Sequence, residues 1–341
     1  MTSPSSKLIS EFELIEAFFK SKAKAMGFSD DSGVVMGIGD DCALVATKAH
    51  EELTVTTDML VEGRHFFSDA NPEWLGYKAL AVNLSDLAAM GAKPLGFTLA
   101  LALPQADSRW LESFSNGLFQ AAKEFSCPLI GGDTCKGPLN ICISALGTVA
   151  KGAAIKRSGA KPGDQIWVSG CLGDARLALA ALRHEIDLPA DQLKMIEARL
   201  HQPTPRVALG IALQNFASAA LDVSDGLLGD LQHILDASQV DANIFLANLP
   251  KSKTLLQQSQ ALQDQCAANG GDDYEICFTA AAENTSAIEA LSKELSLALT
   301  RIGEIHTPAS TEAKITLIGR DGQQWSAEAG AKLMQSFDHF A

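Results

Sequence analysis

Aspartates beside glycines or next to apolar, strand-like runs are the residues of this sequence best suited to chemistry. They occur in both halves of the chain: Asp40, Asp41, Asp58, Asp86, Asp133, Asp222, Asp225, Asp272 and Asp273. A single Asp in such a place is typical of a turn or a helix N-cap. Asp40 and Asp41, however, lie between two apolar runs, where adjacent carboxylates repel each other unless a cation lies between them. The pattern favours a hard divalent cation, and Mg²⁺ is commonly held by one or two carboxylates plus substrate phosphates.

Phosphoryl transfer is the chemistry that such carboxylates indicate. Joining a nucleoside triphosphate to a phosphorylated acceptor gathers several negative charges, which Mg²⁺ ions on the aspartates would neutralise. A phosphate acceptor is already ionised near neutral pH, so positioning and charge neutralisation suffice without a strong general base. We therefore predict no catalytic side chain. Four basic residues are candidates either to contact phosphate or to form a solvated linker: Lys136, Lys151, Lys156 and Arg157.

Motifs and charge exclude several other classes of protein. No glycine is followed by lysine, which excludes the common P-loop, and G-x-G-x-x-G, H-E-x-x-H and G-x-S-x-G are absent. The chain has 27 Lys plus Arg against 41 Asp plus Glu, a formal net charge of −14. It has no excess positive potential for a nucleic-acid backbone or an anionic membrane. We expect neither kind of partner.

The N-terminus and the cysteines indicate the compartment. Residues 1–6 are polar and lack the pattern of a signal peptide, and the longest apolar candidate, 95–103, has only strand length. We expect a soluble, cytoplasmic protein. The seven cysteines are odd in number and never form C-x-x-C. They predict reduced thiols in the core rather than a zinc site or a disulfide framework.

Helical and strand-like patterns alternate along the chain, which indicates an α/β fold. Helices are predicted at the N-terminus, with Ser10 and Glu13 as a capping box, after Asp107, and near 174–183, 191–201 and 228–238. Strands are predicted at 53–57, 97–103, 141–149, 165–169, 276–279 and 315–318. This assignment places Asp58 at the end of a strand, Gly132-Asp133 before a strand, and Asp86 before a helix.

Length and composition predict two domains. The chain has 341 residues, and domains commonly have about 150. The apolar pattern lapses between Lys151 and Gly163, in a stretch rich in Lys, Gly and Ser, before a new strand begins at Gln165. We therefore expect an N-terminal domain at 1–150 and a C-terminal domain at 151–341.

Eight motifs, in order along nearly the whole chain, resemble those of the thiamine-monophosphate kinases, which belong to the aminoimidazole ribonucleotide synthetase superfamily. They are Gly37 to Ala43, Thr57-Asp58, His65-Phe66, Lys78 to Pro94, Ile130 to Thr134, Arg157-Ser158-Gly159, Asp222 to Gly226 and Gly270 to Glu275. The resemblance implies a two-domain α/β fold whose N-terminal domains dimerise and form a β-barrel across the interface. The N-terminal domain would bind ATP and Mg²⁺, and the C-terminal domain would complete the nucleotide and substrate site.

The resemblance also implies the reaction, the last step of thiamine diphosphate biosynthesis. The γ-phosphate of ATP, the co-substrate, passes directly to thiamine monophosphate, with several Mg²⁺ ions and no phospho-enzyme. It implies Mg²⁺ ligation by Asp41, Thr56, Thr57, Asp58, Asp86, Asp133, Asp222 and Asp225. It implies ATP contacts from Gly132, Asp133, Arg157 and Ser224, and contacts to thiamine from His65, Asp272 and Phe337.

Two positions depart from the family pattern. Relatives usually have Glu where this chain has Asp272, which shortens the side chain by one methylene, so that its contact to the aminopyrimidine would run through water. At Phe337 a Tyr is common in relatives; the phenyl ring retains stacking on the thiazolium cation but not a hydroxyl hydrogen bond. His65 and Phe337 also fit a purely structural role, as a packed histidine and a C-terminal core anchor.

Two alternatives remain open from the sequence. The first is another member of the superfamily that phosphorylates an amide, carbamoyl or selenide substrate. Selenide chemistry would need a reactive Cys in a Gly-rich N-terminal loop, and no Cys precedes Gly39. The second is a non-catalytic sensor that binds Mg-ATP without turning over thiamine monophosphate.

Overall fold

The structure is a computed structural model and describes residues 11–28, 33–38, 42–326, 330 and 333. Asp41 and Phe337, two of the expected site residues, lie outside the described residues, as does Ser10 of the expected capping box.

The chain divides into two compact units. The first comprises Met1–Leu87 and Lys93–Gly152, and the second comprises Ala88–Ala92 and Ala153–Ala341. Each unit has its own main β-sheet.

The chain up to residue 152 forms a four-stranded sheet, a two-stranded sheet and four helices. The elements are α1 (Glu11–Leu14), a π-helical segment (Ile15–Lys20), α2 (Ser21–Met26), β1 (Val34–Met36), β2 (Leu44–Val45), β3 (Glu51–Val61), α3 (Pro72–Ala89), β4 (Lys93–Leu103), α4 (Ser108–Glu124), β5 (Leu129–Lys136) and β6 (Asn140–Ala150). The predicted helix after Asp107 is confirmed as α4. The Asp107 carboxylate accepts from the backbone N–H of Arg109 (2.9 Å) and of Trp110 (3.4 Å), as an N-cap does.

The four-stranded sheet has the order β3-β6-β4-β5, with β4 and β5 parallel and the other pairs antiparallel. On β6, buried Ile141, Ile143 and Ala145 alternate with partly exposed residues, so one face of the sheet is packed. Helices α3 and α4 approach each other closely, because a Cβ at Gly117 would lie 1.7 Å from the carbonyl oxygen of Glu73. Within the described part of one chain this sheet is open, with β3 and β5 at its edges.

Four site residues of this unit lie in the interior of elements rather than at their ends, contrary to the sequence prediction. β3 continues to Val61 because all eleven of its residues pair with β6, so Asp58 is inside the strand. Gly132 and Asp133 are inside β5, which pairs with β4, and Asp86 is inside α3. In each case pairing or packing with distant residues extends the element beyond its local apolar pattern.

The chain from residue 153 onward forms a six-stranded mixed sheet with helices. The elements are β7 (Gln165–Ser169), α5 (Asp174–Leu182), α6 (Ala190–His201), α7 (Val207–Leu213), β8 (Ala217–Val223), α8 (Leu227–Ser238), β9 (Asp241–Phe245), 3₁₀ turns at Leu246–Asn248, Leu255–Gln257 and Ala282–Asn284, α9 (Gln260–Asn269), β10 (Glu275–Ala280), α10 (Thr285–Glu294), β11 (Leu299–His306) and β12 (Ile315–Ile318). The strand order is β12-β9-β11-β7-β10-β8, and only the β9–β12 pair is parallel.

Both faces of this second sheet are covered. Ile166 and Val168 of β7 pack in one apolar core with α5, α6, α8 and α9, whereas Trp167 packs on the other face with α7 and α10. All residues of β7 and β10 are therefore buried, which explains why these strands read as continuous apolar runs. The helices and strands predicted in this half are confirmed to within a few residues.

The burial of the cysteines agrees only in part with the prediction that they lie in the core. All seven are free thiols, as predicted, but only Cys127, Cys266 and Cys277 are buried, while Cys42 and Cys135 are exposed. The prediction was wrong for Cys135 because its strand, β5, is an edge strand with solvent on one side. None of the helices in the described part of the chain combines the length and the hydropathy that a membrane span requires.

Candidate functional site

The first cluster of site residues lies where β3 meets α3 in the first unit. Alternation along β3 turns Thr56 and Asp58 to one face of the sheet. The Thr56 hydroxyl donates a short hydrogen bond to Oδ2 of Asp86 on α3. The backbone N–H of Asp58 donates to Oδ1 of Asn83, three residues before Asp86, at 3.1 Å. Thr56, Asp58 and Asp86 are therefore brought together as expected.

Asn83 is a residue of this cluster that the sequence reasoning did not assign. It is fully buried, and its Nδ2 donates to the carbonyl oxygen of Ala79 at 3.1 Å while its Oδ1 accepts from Asp58. It thus fixes β3 to α3 beside the two carboxylates. Its place in the motif Asn83-Leu84-Ser85-Asp86 was the available signal.

The side chain of Thr57 points away from this cluster. Its hydroxyl lies 2.8 Å from Oγ of Ser144 on β6, on the opposite face from Asp58. The structure therefore does not bring the Thr57 hydroxyl to Asp58 and Asp86.

Gly132 and Asp133 border a pocket of the first unit. The pocket contains about 310 Å³ of empty space including its open mouth. Its lining residues are Ile15, Phe19, Ile38, Leu99, Leu129, Gly131, Gly132, Asp133 and Thr134. Gly132 has a φ of 149°, and a Cβ there would lie 2.0 Å from the carbonyl oxygen of Leu99, so only glycine fits. The walls are mainly apolar, and Asp133 supplies a carboxylate at one side.

His65 lies in the turn that follows β3. The ring Nδ1 of His65 accepts from the backbone N–H of Val61 at 3.0 Å. The backbone N–H of His65 donates to the Val61 carbonyl at 2.9 Å. In the neutral ring, Nδ1 is therefore the acceptor and Nε2 carries the proton. The ring is half-buried and oriented by its own turn.

A second cluster lies in the second unit, where two loops meet at the ends of β8 and β10. The backbone N–H of Asp272 donates to the carbonyl of Ser224, and that of Tyr274 to the carbonyl of Val223, both at 2.8 Å. Asp222 is the penultimate residue of β8, and the loop after β8, with Ser224 and Asp225, is thus joined directly to the loop that contains Asp272. These four expected site residues are brought together.

Asp230 shapes the first of these loops and was not predicted from the sequence. Its Oδ2 accepts from the backbone N–H of Ser224 at 3.0 Å and of Asp225 at 3.1 Å. Burial raises the pKa of Asp230 to about 7. Since the two N–H groups are satisfied by this carboxylate, the loop keeps one conformation ahead of α8.

Arg157 and the neighbouring lysine lie in an exposed connecting segment of the second unit. The carbonyl of Lys156 accepts from the N–H of Ala220 on β8 at 3.1 Å, and that of Arg157 accepts from the Ser238 hydroxyl at 3.2 Å. The backbone is therefore fixed beside β8 while both side chains are exposed to solvent. Lys136 and Lys151, in the first unit, are exposed as well.

Among the residues that the structure describes, no three or more His, Cys, Asp or Glu side chains are grouped so that they could hold a metal ion by themselves. The donor chemistry nevertheless suits Mg²⁺. The Thr56 hydroxyl and the Asp86 carboxylate are in contact, the Asp58 backbone is bonded to Asn83 one helical turn from Asp86, and Mg²⁺ takes one or two carboxylates together with phosphate oxygens rather than an all-protein cage.

Comparison with known proteins gives two family matches that together span most of the chain. Residues 39–149 match the AIR synthase related protein, N-terminal domain, and residues 161–315 match the AIR synthase related protein, C-terminal domain. The thiamine-monophosphate kinase of Escherichia coli strain K12 is 43% identical over 335 residues, covering 97% of this chain and 98% of the relative.

Two solved structures are similar over almost the full length. The crystal structure of thiamine-monophosphate kinase from Stenotrophomonas maltophilia K279a is 43% identical, with a TM-score of 0.82, and the match covers 89% of this chain and 96% of that one. A structure of AaThiL complexed with AMPPCP and TMP is 29% identical, with a TM-score of 0.71, covering 95% of this chain and 98% of that one.

Proposed function

The chain belongs to the thiamine-monophosphate kinase family, and we propose from this that it phosphorylates thiamine monophosphate with ATP to give thiamine diphosphate. The observation that carries the proposal is the 43% identity to the Escherichia coli kinase over 97% of the chain. The complex of AaThiL with AMPPCP and TMP, matched over 95% of the chain, supports both substrates. In this account the enzyme completes thiamine diphosphate biosynthesis and acts in the cytoplasm.

Several Mg²⁺ ions would be held by carboxylates from both units. In the first unit, Asp58 and Asp86 with the Thr56 hydroxyl would be ligands, together with Asp41 and Asp133. Thr57 would contribute only through its backbone, because its hydroxyl lies on the opposite face of the strand. In the second unit, Asp222 and Asp225 would contribute. When bound, the ions supply positive charge that offsets repulsion between the two phosphorylated substrates. The close placement of Thr56, Asp58 and Asp86 supports this assignment.

ATP would use groups from both units. The pocket beside Gly132 has mainly apolar walls, and the nucleotide base would bind there. Ser224 would contact the nucleotide, and the exposed guanidinium of Arg157 would donate to its phosphates. The first unit would thus provide most of the nucleotide and metal site, and the second would complete it.

Thiamine monophosphate would be contacted by His65, Asp272 and Phe337. His65 would donate from Nε2, because its Nδ1 is occupied by the N–H of Val61. Asp272 would accept from the aminopyrimidine, directly or through a water molecule. Phe337 would stack on the thiazolium ring.

We propose direct in-line transfer of the γ-phosphate without a phospho-enzyme. The acceptor phosphate is itself the nucleophile and is ionised near neutral pH, so no side chain has to remove a proton. The protein residues bind and orient the two substrates, and the pairing of Thr56 with Asp86 and of Asn83 with Asp58 holds the carboxylates in place beforehand.

A homodimer with a β-barrel across the interface is the proposed assembly. Three large apolar residues of β3 are exposed on the unpacked face of the sheet: Leu53 by 45%, Val55 by 62% and Met59 by 52%. An apolar strand at the edge of an open sheet is a surface that proteins cover. A second copy that paired its own sheet with this one would bury all three residues.

Incubation of the pure protein with Mg-ATP and thiamine monophosphate tests the reaction. We expect thiamine diphosphate, and no product from free thiamine as the control acceptor. Incubation with γ-labelled ATP alone should leave no label on the protein. Product from free thiamine would indicate a different kinase. Binding of Mg-ATP without product would indicate that the protein is the non-catalytic Mg-ATP sensor.

A further inference from the structure

The segment Asp272-Asp273-Tyr274 enters β10 through an unusual backbone conformation. Asp272 has a φ of 65° and Tyr274 a φ of 49°, both in the left-handed region that non-glycine residues rarely occupy. Such conformations persist where the surroundings enforce them, and they concentrate at ligand sites. Asp272 is the residue proposed above to contact the second substrate.

Asp273 is the first anchor of this segment. Its side chain is 1% exposed, and both of its carboxylate oxygens accept from the backbone N–H of Gly173, at 3.0 and 2.9 Å. Gly173 is the N-cap of α5, whose N-terminal end favours a negative charge. The Asp273 side chain is thus hydrogen-bonded to the N-terminus of α5.

Glu275 is the second anchor. It is fully buried and accepts from Nη2 of Arg199 at 2.7 Å, from Nε and Nη2 of Arg206 at 2.7 and 2.5 Å, and from the Ser169 hydroxyl at 2.5 Å. Arg199 also donates to the carbonyl of Asp273 at 2.9 Å. Because a buried charge that loses its partner is strongly unfavourable, this cluster resists movement of the segment.

The two anchors leave Tyr274 beside Asp272 with its hydroxyl directed at the carboxylate. The Tyr274 hydroxyl donates to Oδ1 of Asp272 at 3.4 Å. The backbone N–H groups of both residues are bonded to the loop after β8, so the pair is fixed to that loop as well. Neither the expected site residues nor the family matches assign a role to Tyr274.

We infer that Tyr274 is a positioning residue, which orients the Asp272 carboxylate toward thiamine monophosphate through its hydroxyl and its left-handed backbone. This inference rests on the proposed function. The short side chain of Asp272 makes the orientation important, because a single methylene separates its carboxylate from the backbone. A hydroxyl that restricts this carboxylate reduces the entropy lost when substrate binds.

Removal of the hydroxyl alone tests the inference. The chain has two tyrosines, so Tyr274→Phe has a matched control in Tyr77→Phe, which removes a hydroxyl that donates to Glu124 at 3.2 Å. Steady-state kinetics would be measured on the full-length protein with Mg-ATP and thiamine monophosphate. For Tyr274→Phe we expect the KM for thiamine monophosphate to rise about three- to tenfold, with the KM for ATP unchanged. Tyr77→Phe should leave both constants at the wild-type values.

A second variant separates positioning from a structural role. In Asp272→Glu the longer carboxylate no longer meets the hydroxyl in the same place, so adding Tyr274→Phe should change the KM for thiamine monophosphate by less than about twofold. An unchanged KM for thiamine monophosphate in Tyr274→Phe would overturn the inference. So would an equal rise in this KM when Tyr274→Phe is added to the wild type and to Asp272→Glu. If the wild-type protein made no thiamine diphosphate, the proposed function itself would fail, and the inference with it.

Discussion

At the scale of single residues, the proposed function depends on carboxylates whose charges Mg²⁺ would offset. In the first unit β3 and α3 meet at Asp58 and Asp86, through hydrogen bonds of Asn83 and Thr56, and in the second Asp222 is the penultimate residue of β8, just before the loop that contains Asp225. A carboxylate needs its negative charge to bind Mg²⁺. The amide of Asn has nearly the same shape but is neutral. An Asp→Asn change therefore removes the ligand charge while preserving the fold.

Asp222→Asn should lower kcat by roughly 100-fold or more, because a metal ligand is lost, while the thermal unfolding curve stays close to that of the wild type. Asp236→Asn, at an exposed position of α8, is the matched control and should have wild-type activity. Initial rates over a Mg²⁺ series measure both. Wild-type activity and Mg²⁺ dependence in Asp222→Asn would contradict the assignment.

The buried thiols give a second prediction at this scale. Burial raises the pKa of Cys266 and of Cys277 to about 12, so both stay protonated and unreactive in the native protein. We expect neither to react with a thiol reagent at pH 8 until the protein is unfolded by denaturant. Mass spectrometry of labelled peptides identifies the sites, and rapid native labelling of either Cys would show that it is accessible.

At the scale of elements, β5 approaches β4 so closely at Gly132 that no side chain fits there. Gly132→Ala places a Cβ 2.0 Å from the Leu99 carbonyl at a φ of 149°, and should lower the free energy of unfolding by about 2 kcal/mol or more. Gly152→Ala is the control: its φ is 79° but no atom lies within 4 Å of the added Cβ, so only the smaller conformational strain of about 1 kcal/mol remains. Denaturant unfolding measures both, and equal losses would contradict the close approach.

The first turn of α5 gives a pH prediction. Burial raises the pKa of Asp174 above its usual 3.8. The folded state therefore retains a proton that the unfolded state loses, and stability falls as pH rises from about 3.8 through the raised pKa. The Asn side chain of Asp174→Asn does not titrate, and its amide oxygen can still accept from Ser252. The melting temperature of the variant relative to the wild type should therefore rise as pH increases from about 3.8 through the raised pKa. A constant difference from pH 4 to 7 would contradict the raised pKa.

Element types could be predicted from the sequence more reliably than their ends. The α4 helix was predictable because Asp107 caps it and its apolar residues recur at helical spacing. The ends of β3 and β5 were not, because they depend on pairing with β6 and β4, strands distant in sequence. For the same reason, sequence spacing could not show that Thr57 turns away from Asp58, or that Asn83 lies between β3 and α3.

At the scale of the whole molecule, the proposed dimer makes the exposed face of β3 an interface. Val55→Asp would place a charge in it and should shift the protein from dimer to monomer in sedimentation velocity, with the fold unchanged by circular dichroism. Glu52→Ala, at an exposed position of the same strand outside this apolar face, is the control. A wild-type protein that sediments as a monomer at micromolar concentration would contradict the dimer.

Much of the candidate site could be predicted from motif order, since Thr56, Asp58 and Asp86 meet in one unit and Asp222, Ser224, Asp225 and Asp272 meet in the other. The residues that hold them could not. Asp230 accepts from backbone N–H groups five and six residues before it, and Glu275 pairs with Arg206, 69 residues away in sequence. No local pattern distinguishes such a buried carboxylate from an exposed one.

The central claim is that the aspartates of the candidate site bind Mg²⁺ ions at the phosphates of ATP and thiamine monophosphate. Crystallisation with Mn²⁺, a non-hydrolysable ATP analogue and thiamine monophosphate, followed by anomalous diffraction, tests it most directly. The account predicts anomalous peaks between the phosphates, within about 2.2 Å of carboxylate oxygens of Asp58, Asp86 and Asp222. Bound nucleotide with no such peaks at these aspartates would contradict it.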